Sequence, residues 1–220
     1  MCGRFVRSRT IDEIAEAFFI DIVEADLQPS FNIAPTQNLL AISGNSVKRL
    51  TAMRWGLIPS WAKDDSLAAK MINARAETII EKPSFKTPFK NSRCLIVADG
   101  FYEWKKTGKE KIPFYIHLKS DEPFAFAGLF DHWETPEGQV LTTCTIITTE
   151  ANDLMRDLHE RMPVILPREQ HELWLDASVK NQNVLLEMLQ PFSADLMEAY
   201  EVSRLVNSPR NNSPACIKRV

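Results

Sequence analysis

Short apolar runs separated by turn signals constrain this chain more than any other feature. Residues 38–43 and 47–55 are two such runs, joined at Gly44-Asn45-Ser46, a hairpin signal. Residues 93–98 form an apolar run that predicts a buried strand, and Asp99-Gly100 turns the chain into another that begins Phe101-Tyr102-Glu103-Trp104. Alternation puts Tyr102 and Trp104 on one face of that strand, and Glu103 with Phe101 on the other. A charged tip, Lys105-Lys106-Thr107-Gly108-Lys109, leads into a strand over 112–118. Two more, 124–130 and 140–148, are joined by an acidic turn around Thr135-Pro136-Glu137-Gly138, and a last one is expected at 198–202. About seven strands in succession, with helices inserted between or after them, define an α+β chain. The expected architecture is a mainly antiparallel, barrel-like sheet core with peripheral helices.

The first helix is announced by a capping box, Thr10-Ile11-Asp12-Glu13, followed by Ile14, Ala15, Phe18 and Phe19 at helical spacing. Further helices are expected at 150–158, 167–176 and 181–189. A length of 220 residues suits one domain with a sizeable core, its tail from about residue 208 peripheral. The net charge of −3 argues against general polyanion binding but leaves room for a local basic cleft. Cys2, Cys94, Cys144 and Cys216 are widely spaced with no CxxC pair, which argues against a zinc ribbon or a thioredoxin site. No metal or cofactor is expected. Arg4, Arg7 and Arg9 lead into an acidic amphipathic segment, not an apolar leader, and no run approaches the ~20 apolar residues of a membrane span. The reduced cytoplasm is the expected compartment and a monomer the expected state.

Chemistry centres on Met1-Cys2-Gly3-Arg4. Removal of Met1 gives Cys2 a free α-amine, with a pKa of about 7.7–8.0, beside a thiol of about 8.5. Such a 1,2-aminothiol condenses with an aldehyde through its amine and closes a five-membered thiazolidine through its sulfur. The amine also serves an N-terminal nucleophile as its base. Against this stands a frayed terminus with an incidental cysteine. Other stretches carry two readings each. Asn32, in a Pro-bounded loop, suits a turn residue bonding its own backbone. Trp55 and Trp61 flank Gly56 and Pro59; core burial is the usual explanation for one of them, and two indoles in such a loop add the reading of an exposed stacking platform. Residues 82–93 interleave Lys82, Lys86, Lys90 and Arg93 with Phe85 and Phe89, fitting either single-stranded nucleic acid or a solvated loop. Glu103, between aromatic rings, is a proton-transfer candidate or a surface strand residue. His159, at the end of a helix, is a site residue or a complement to the helix dipole.

Four separated elements occur in order: Met-Cys-Gly-Arg at the start, Ile-Asn-Ala-Arg-Ala-Glu-Thr at 72–78, Ala-Asp-Gly-Phe-Tyr-Glu-Trp at 98–104 and His-Glu-Arg-Met-Pro at 159–163. With Asn32-Ile33-Ala34-Pro35, Trp55-Gly56 and Val206-Asn207, they resemble the SOS response-associated peptidase family, the abasic-site processing proteins. The resemblance runs from Cys2 to about Asn207. It implies that the chain senses abasic sites in single-stranded DNA and forms a thiazolidine crosslink, with self-processing peptidase, lyase and crosslink-reversal activities. The catalytic set it implies is Cys2, Asn73, Glu103 and His159. It implies DNA contacts at Arg4, Trp61, Arg75 and Arg161. Some relatives carry a second aromatic where this chain has Ala62. Pro83 stands where a relative has arginine, leaving Lys82 or Lys86 to supply that contact. An N-terminal-nucleophile or cysteine peptidase acting on other proteins, with Cys2, His159 and Glu103 or Asn73 as its catalytic set, is the competing enzyme reading, and a non-catalytic nucleic-acid module the third.

Overall fold

The computed structural model describes residues 2–220. In chain order, β1 (Phe5–Arg7) is followed by α1 (Ile11–Phe18), β2 (Ile22–Val23), β3 (Ser30–Ile33), β4 (Asn38–Ser43) and β5 (Arg49–Trp55). The middle of the chain holds β6 (Asn73–Arg75), α2 (Pro83–Asn91), β7 (Arg93–Ala98), β8 (Gly100–Thr107), β9 (Glu110–Leu118), β10 (Phe124–Glu134) and β11 (Val140–Glu150). The last part holds α3 (Asp153–Arg156), β12 (Arg161–Pro163), β13 (Ile165–Leu166), α4 (His171–Leu175), α5 (Gln182–Glu187) and β14 (Met197–Glu201). The class is α+β, and the sheets are mainly antiparallel.

Two sheets carry the fold. One runs β14-β9-β8-β1-β3 and the other β12-β11-β10-β7-β4-β5-β2. In the second, β11 also pairs in parallel with β5, Thr143 opposite Arg54 and Cys144 opposite Trp55, which closes β5-β4-β7-β10-β11 into a five-stranded barrel. Closure leaves those strands no open edge. The wall is buried on both faces. On β7, Leu95 and Val97 join a core with α1, α2, α4 and α5, while Cys94, Ile96 and Ala98 join a second core with Cys2, Phe5 and Phe101. The strand-length runs therefore lack hydrophobic–polar alternation because neither side meets water.

The chain passes from one sheet to the other at Asp99. Its buried carboxylate accepts the Ser8 and Arg9 backbone N–H groups and the Ser8 hydroxyl, and pairs with the Arg9 guanidinium. Gly100 follows because a Cβ there would lie 2.4 Å from the Tyr115 ring. The Thr10–Glu13 capping box is present, and Phe19 ends α1 in the left-handed conformation.

Three expectations are corrected. Residues 83–91 form a helix, not a loop, and Phe85 and Phe89 are core residues, so the aromatics of that stretch are no stacking platform. Asn32 is a fully buried strand residue whose Nδ2 donates to the carbonyls of Ser208 and Asn211 at 3.0 and 2.8 Å. The tail beyond residue 208 is tied in rather than peripheral: Asn212 accepts the Phe31 N–H, Cys216 is buried and Arg219 bridges to Val202. Among the described residues no helix is long and apolar enough to cross a membrane.

Candidate active site

The site is assembled where β1 runs beside β8. Phe5 pairs with Phe101 and Val6 with Gly100, and the Tyr102 N–H donates to the Arg4 carbonyl at 2.9 Å. Continuing that antiparallel register carries Cys2 and Gly3 along Glu103 and Trp104. Phe5 anchors the segment by edge contacts with Trp55, at 5.3 Å, and Phe126, at 5.8 Å. The Trp55 indole then donates to the Ile72 carbonyl at 2.9 Å, which fixes the start of β6. From β6 the Asn73 Nδ2 donates to the Cys2 carbonyl at 2.8 Å. Asn73 Oδ1 is buried and has no hydrogen-bond partner among the described residues.

Cys2 is 0% exposed. Burial, reinforced by the nearby Glu103 carboxylate, pushes its thiol up to about 12. Glu103 is itself only 6% exposed, and burial raises its carboxyl. The alternation read from sequence holds: Phe101 packs with Cys2, while Tyr102 and Trp104 pack on the other side with Val6.

His159 arrives by a short excursion from β11. Asn152 caps α3 through the Met155 N–H, the His159 N–H closes on the Met155 carbonyl at 2.8 Å, and Ala151 bonds Glu160 as the chain returns. The Arg161 N–H donates to His159 Nδ1 at 3.0 Å, so the neutral ring carries its proton on Nε2. Burial lowers the His159 pKa. Glu103 and His159 line one open cleft of about 390 Å³, together with Trp104, Lys106, Lys111 and Asn207. A more apolar cavity of about 540 Å³, among Pro123, Leu166, Met188 and Phe192, contains none of the four expected catalytic residues.

The expected DNA contacts fare differently. Trp61 is 62% exposed on the loop after Gly56, whereas Trp55 is core. Arg75 is exposed at the end of β6, with no hydrogen-bond acceptor among the described residues. Arg161 is held by Glu77 through two bonds of 2.6 and 2.9 Å and donates to the Thr148 carbonyl at 2.7 Å. Arg4 gives Nη1 to Asn32 and to the Val206 carbonyl, at 2.7 and 2.8 Å, and lies over the Trp104 ring. Lys86 is not brought to the cluster. It stands on the exposed side of α2, whose buried side packs with Leu95 and Val97, across the wall from Cys2. Sequence reasoning missed Lys106, Lys111 and Glu77 as site residues. The cross-strand register of the β8–β9 hairpin was the signal for the lysines.

The family model described as SOS response associated peptidase matches residues 1–209. The chain is 55% identical to the abasic site processing protein YoqW of Bacillus subtilis, over 99% of both chains. It is 35% identical to the abasic site processing protein HMCES of Xenopus tropicalis, over 88% of this chain and 67% of that one. A crystal structure of a protein from Bacteroides thetaiotaomicron superposes with a TM-score of 0.91 at 29% identity, covering 100% of both chains. The order of the motifs, the barrel that brings them together and the match over nearly the whole length agree: this chain belongs to the SOS response-associated peptidase family.

Proposed function

We propose that this protein captures abasic sites in single-stranded DNA as a covalent thiazolidine on Cys2. The observation that carries the reading is a chain of neighbours drawn from up to 157 positions apart in sequence: Asn73 bonds the Cys2 carbonyl, the buried Cys2 thiol lies beside the Glu103 carboxylate, and Glu103 lines one cleft with His159. Removal of Met1, on which the free amine depends, lies outside the described residues.

The abasic sugar opens when the proton of its C1′ hydroxyl moves to the ring oxygen and the C1′–O4′ bond breaks. The Nε2–H of neutral His159 donates to that ring oxygen and polarises it. The Cys2 amine then adds to the aldehyde carbon. Glu103 carries protons as the carbinolamine loses water to give the imine. Asn73 Oδ1, buried and unpartnered, accepts from the Cys2 amine or from a sugar hydroxyl. Sulfur attacks last. At a pKa of about 12 the thiolate fraction near neutrality is on the order of 10⁻⁵. The thiol therefore needs Glu103 to take its proton as the ring closes. Trp61 and Arg75 hold the flanking strand, with Arg161 beside them. The same groups support autoproteolysis at the bond before Cys2, lyase chemistry through the imine, and reversal of the crosslink. The protein acts as a cytoplasmic monomer without metal or cofactor.

The test is incubation with a single-stranded oligonucleotide bearing one abasic site, followed by a denaturing gel and intact mass. The expected adduct lacks Met1, weighs one water less than its parts and disappears in Cys2→Ala. No adduct, or one that persists in Cys2→Ala, refutes the proposal. Peptide turnover without an adduct favours the peptidase reading.

A further inference from the structure

The β8–β9 hairpin sets Lys106 directly opposite Lys111. Both are exposed, and neither has a carboxylate within ion-pair distance among the described residues. The neighbouring acid of the hairpin, Glu110, is taken by Arg204 at 3.0 Å. Like charges directly opposite across an antiparallel pair are destabilising. Here the pair is not dispersed into solvent but lines the cleft that holds Glu103 and His159. The floor beside it is Trp104, whose indole N–H is bound to Asn207 Oδ1 at 2.8 Å and whose ring is met by Arg4. The cleft thus carries two cations in a chain whose net charge is −3. Of the acids nearby, Glu110 is engaged at Arg204 and Glu103 is buried, while the exposed Glu160 beside His159 is not among the residues that line the cleft. Burial is the main cause of the lowered His159 pKa, and Lys106 adds a small contribution in the same direction, which places its charge near the ring.

We propose that Lys106 and Lys111 form a phosphodiester subsite that holds the backbone phosphate adjoining the abasic sugar. This rests on the capture reading above and adds the group that seats the sugar between Glu103 and His159. A phosphate there satisfies both ammonium groups at once and removes the repulsion between them. Because each such interaction releases condensed counterion, the subsite has a salt signature separate from the covalent chemistry.

The experiment uses a single-stranded oligonucleotide containing a tetrahydrofuran abasic analogue, which has no aldehyde and reports binding alone. Affinity is measured between about 50 and 200 mM salt for the full chain and for the Lys106→Gln/Lys111→Gln double variant. The expected result is a salt slope flatter by about 0.7 for each phosphate no longer neutralised, restored in Lys106→Arg/Lys111→Arg. A single neutral methylphosphonate, moved through the linkages flanking the analogue, should weaken the parent protein at one position and leave the Gln double variant indifferent there. An unchanged slope, or a methylphosphonate effect equal in both proteins, overturns the subsite. An aldehyde-bearing oligonucleotide separates the two claims. Adduct formation with an unchanged slope removes the lysine subsite and keeps the capture chemistry. A flattened slope without any adduct keeps the subsite and removes the chemistry.

Discussion

Replacing Glu103 by glutamine tests the proton shuttle with almost no change in shape. The carboxylate is buried beside a thiol whose pKa stands at about 12, partly because of that carboxylate. Glutamine removes the base and also part of the cause of the raised thiol, so the two effects oppose each other. General acid–base catalysis is typically worth about 10²–10⁴-fold. The partial relief of the thiol places the expected loss at the lower end, about 100-fold near neutral pH, or about 2.7 kcal/mol of barrier. The pH dependence distinguishes this from a general defect. The parent rate levels off once Glu103 is ionised, above its raised pKa, and the Cys2 amine is deprotonated, above about 7.7–8.0, whereas the variant must wait for the thiolate and keeps rising with pH. The loss therefore shrinks as pH increases. The assay is single-turnover crosslinking read on denaturing gels across pH, with thermal unfolding as the check on folding. A loss under threefold at neutral pH, or two parallel pH profiles, refutes the assigned role.

Two further perturbations follow from the same geometry. Hydrogen bonding from Arg161 holds the Glu77 carboxyl below its usual 4.5, so this pair stabilises the fold above that value and the contribution is lost as pH falls through the depressed folded pKa. Glu77→Gln should lower stability by about 1 kcal/mol at pH 7, discounted because Glu77 is half exposed, and chemical denaturation should show the difference vanishing at strongly acidic pH. Asn32→Ala leaves the Ser208 and Asn211 carbonyls and an Arg4 donor without their partner, and should cost about 2–4 kcal/mol in urea unfolding, with slower crosslinking because the loosened Arg4 adjoins the Cys2 segment.

What could be read from the sequence was local. The capping box needs only Thr10 and Glu13, and the side of β8 taken by Glu103 follows from strand alternation with Tyr102 and Trp104. Helix α2 was missed because Pro83 and Pro88 look like breakers. Pro83 sits at the first turn, where its missing N–H has no partner to lose, and Pro88 costs one intrahelical bond. The four-residue spacing of Phe85 and Phe89 was a helical stripe, which the basic residues between them disguised as a nucleic-acid motif. A barrel-like core was expected, but the strands that close it were illegible, because the parallel pairing of β5 with β11 joins Arg54 to Thr143 with no pattern near either. The extra strands, β2, β6, β12 and β13, span only two or three residues, too short to show a period. Asn32 looked like a turn former because its partners, Arg4 and the segment after Val206, lie at the two ends of the chain.

The pairing of Glu77 with Arg161 bears on how DNA is held. It joins the motif at 72–78 to the motif at 159–163, and so fixes Asn73 and His159 relative to each other. In doing so it occupies both terminal nitrogens of Arg161, one of which also serves the Thr148 carbonyl, and leaves only Nε, buried and without a partner. A phosphate that binds Arg161 must displace Glu77 or share its nitrogens in a crowded geometry. If Arg161 binds a phosphate as proposed, Glu77 stands in for it while DNA is absent; the pairing itself keeps the guanidinium aligned. Arg75, next to it in space and exposed, carries no such prior engagement. On the proposed reading the first contact with the strand falls to Arg75, and to Lys106 and Lys111 in the cleft with His159. Arg161 follows only when Glu77 gives way. Glu77→Gln separates these roles, since it weakens the fold while relieving the competition for Arg161: affinity for single-stranded DNA should rise in the same variant whose stability falls. A fall in both confines Arg161 to holding the site together.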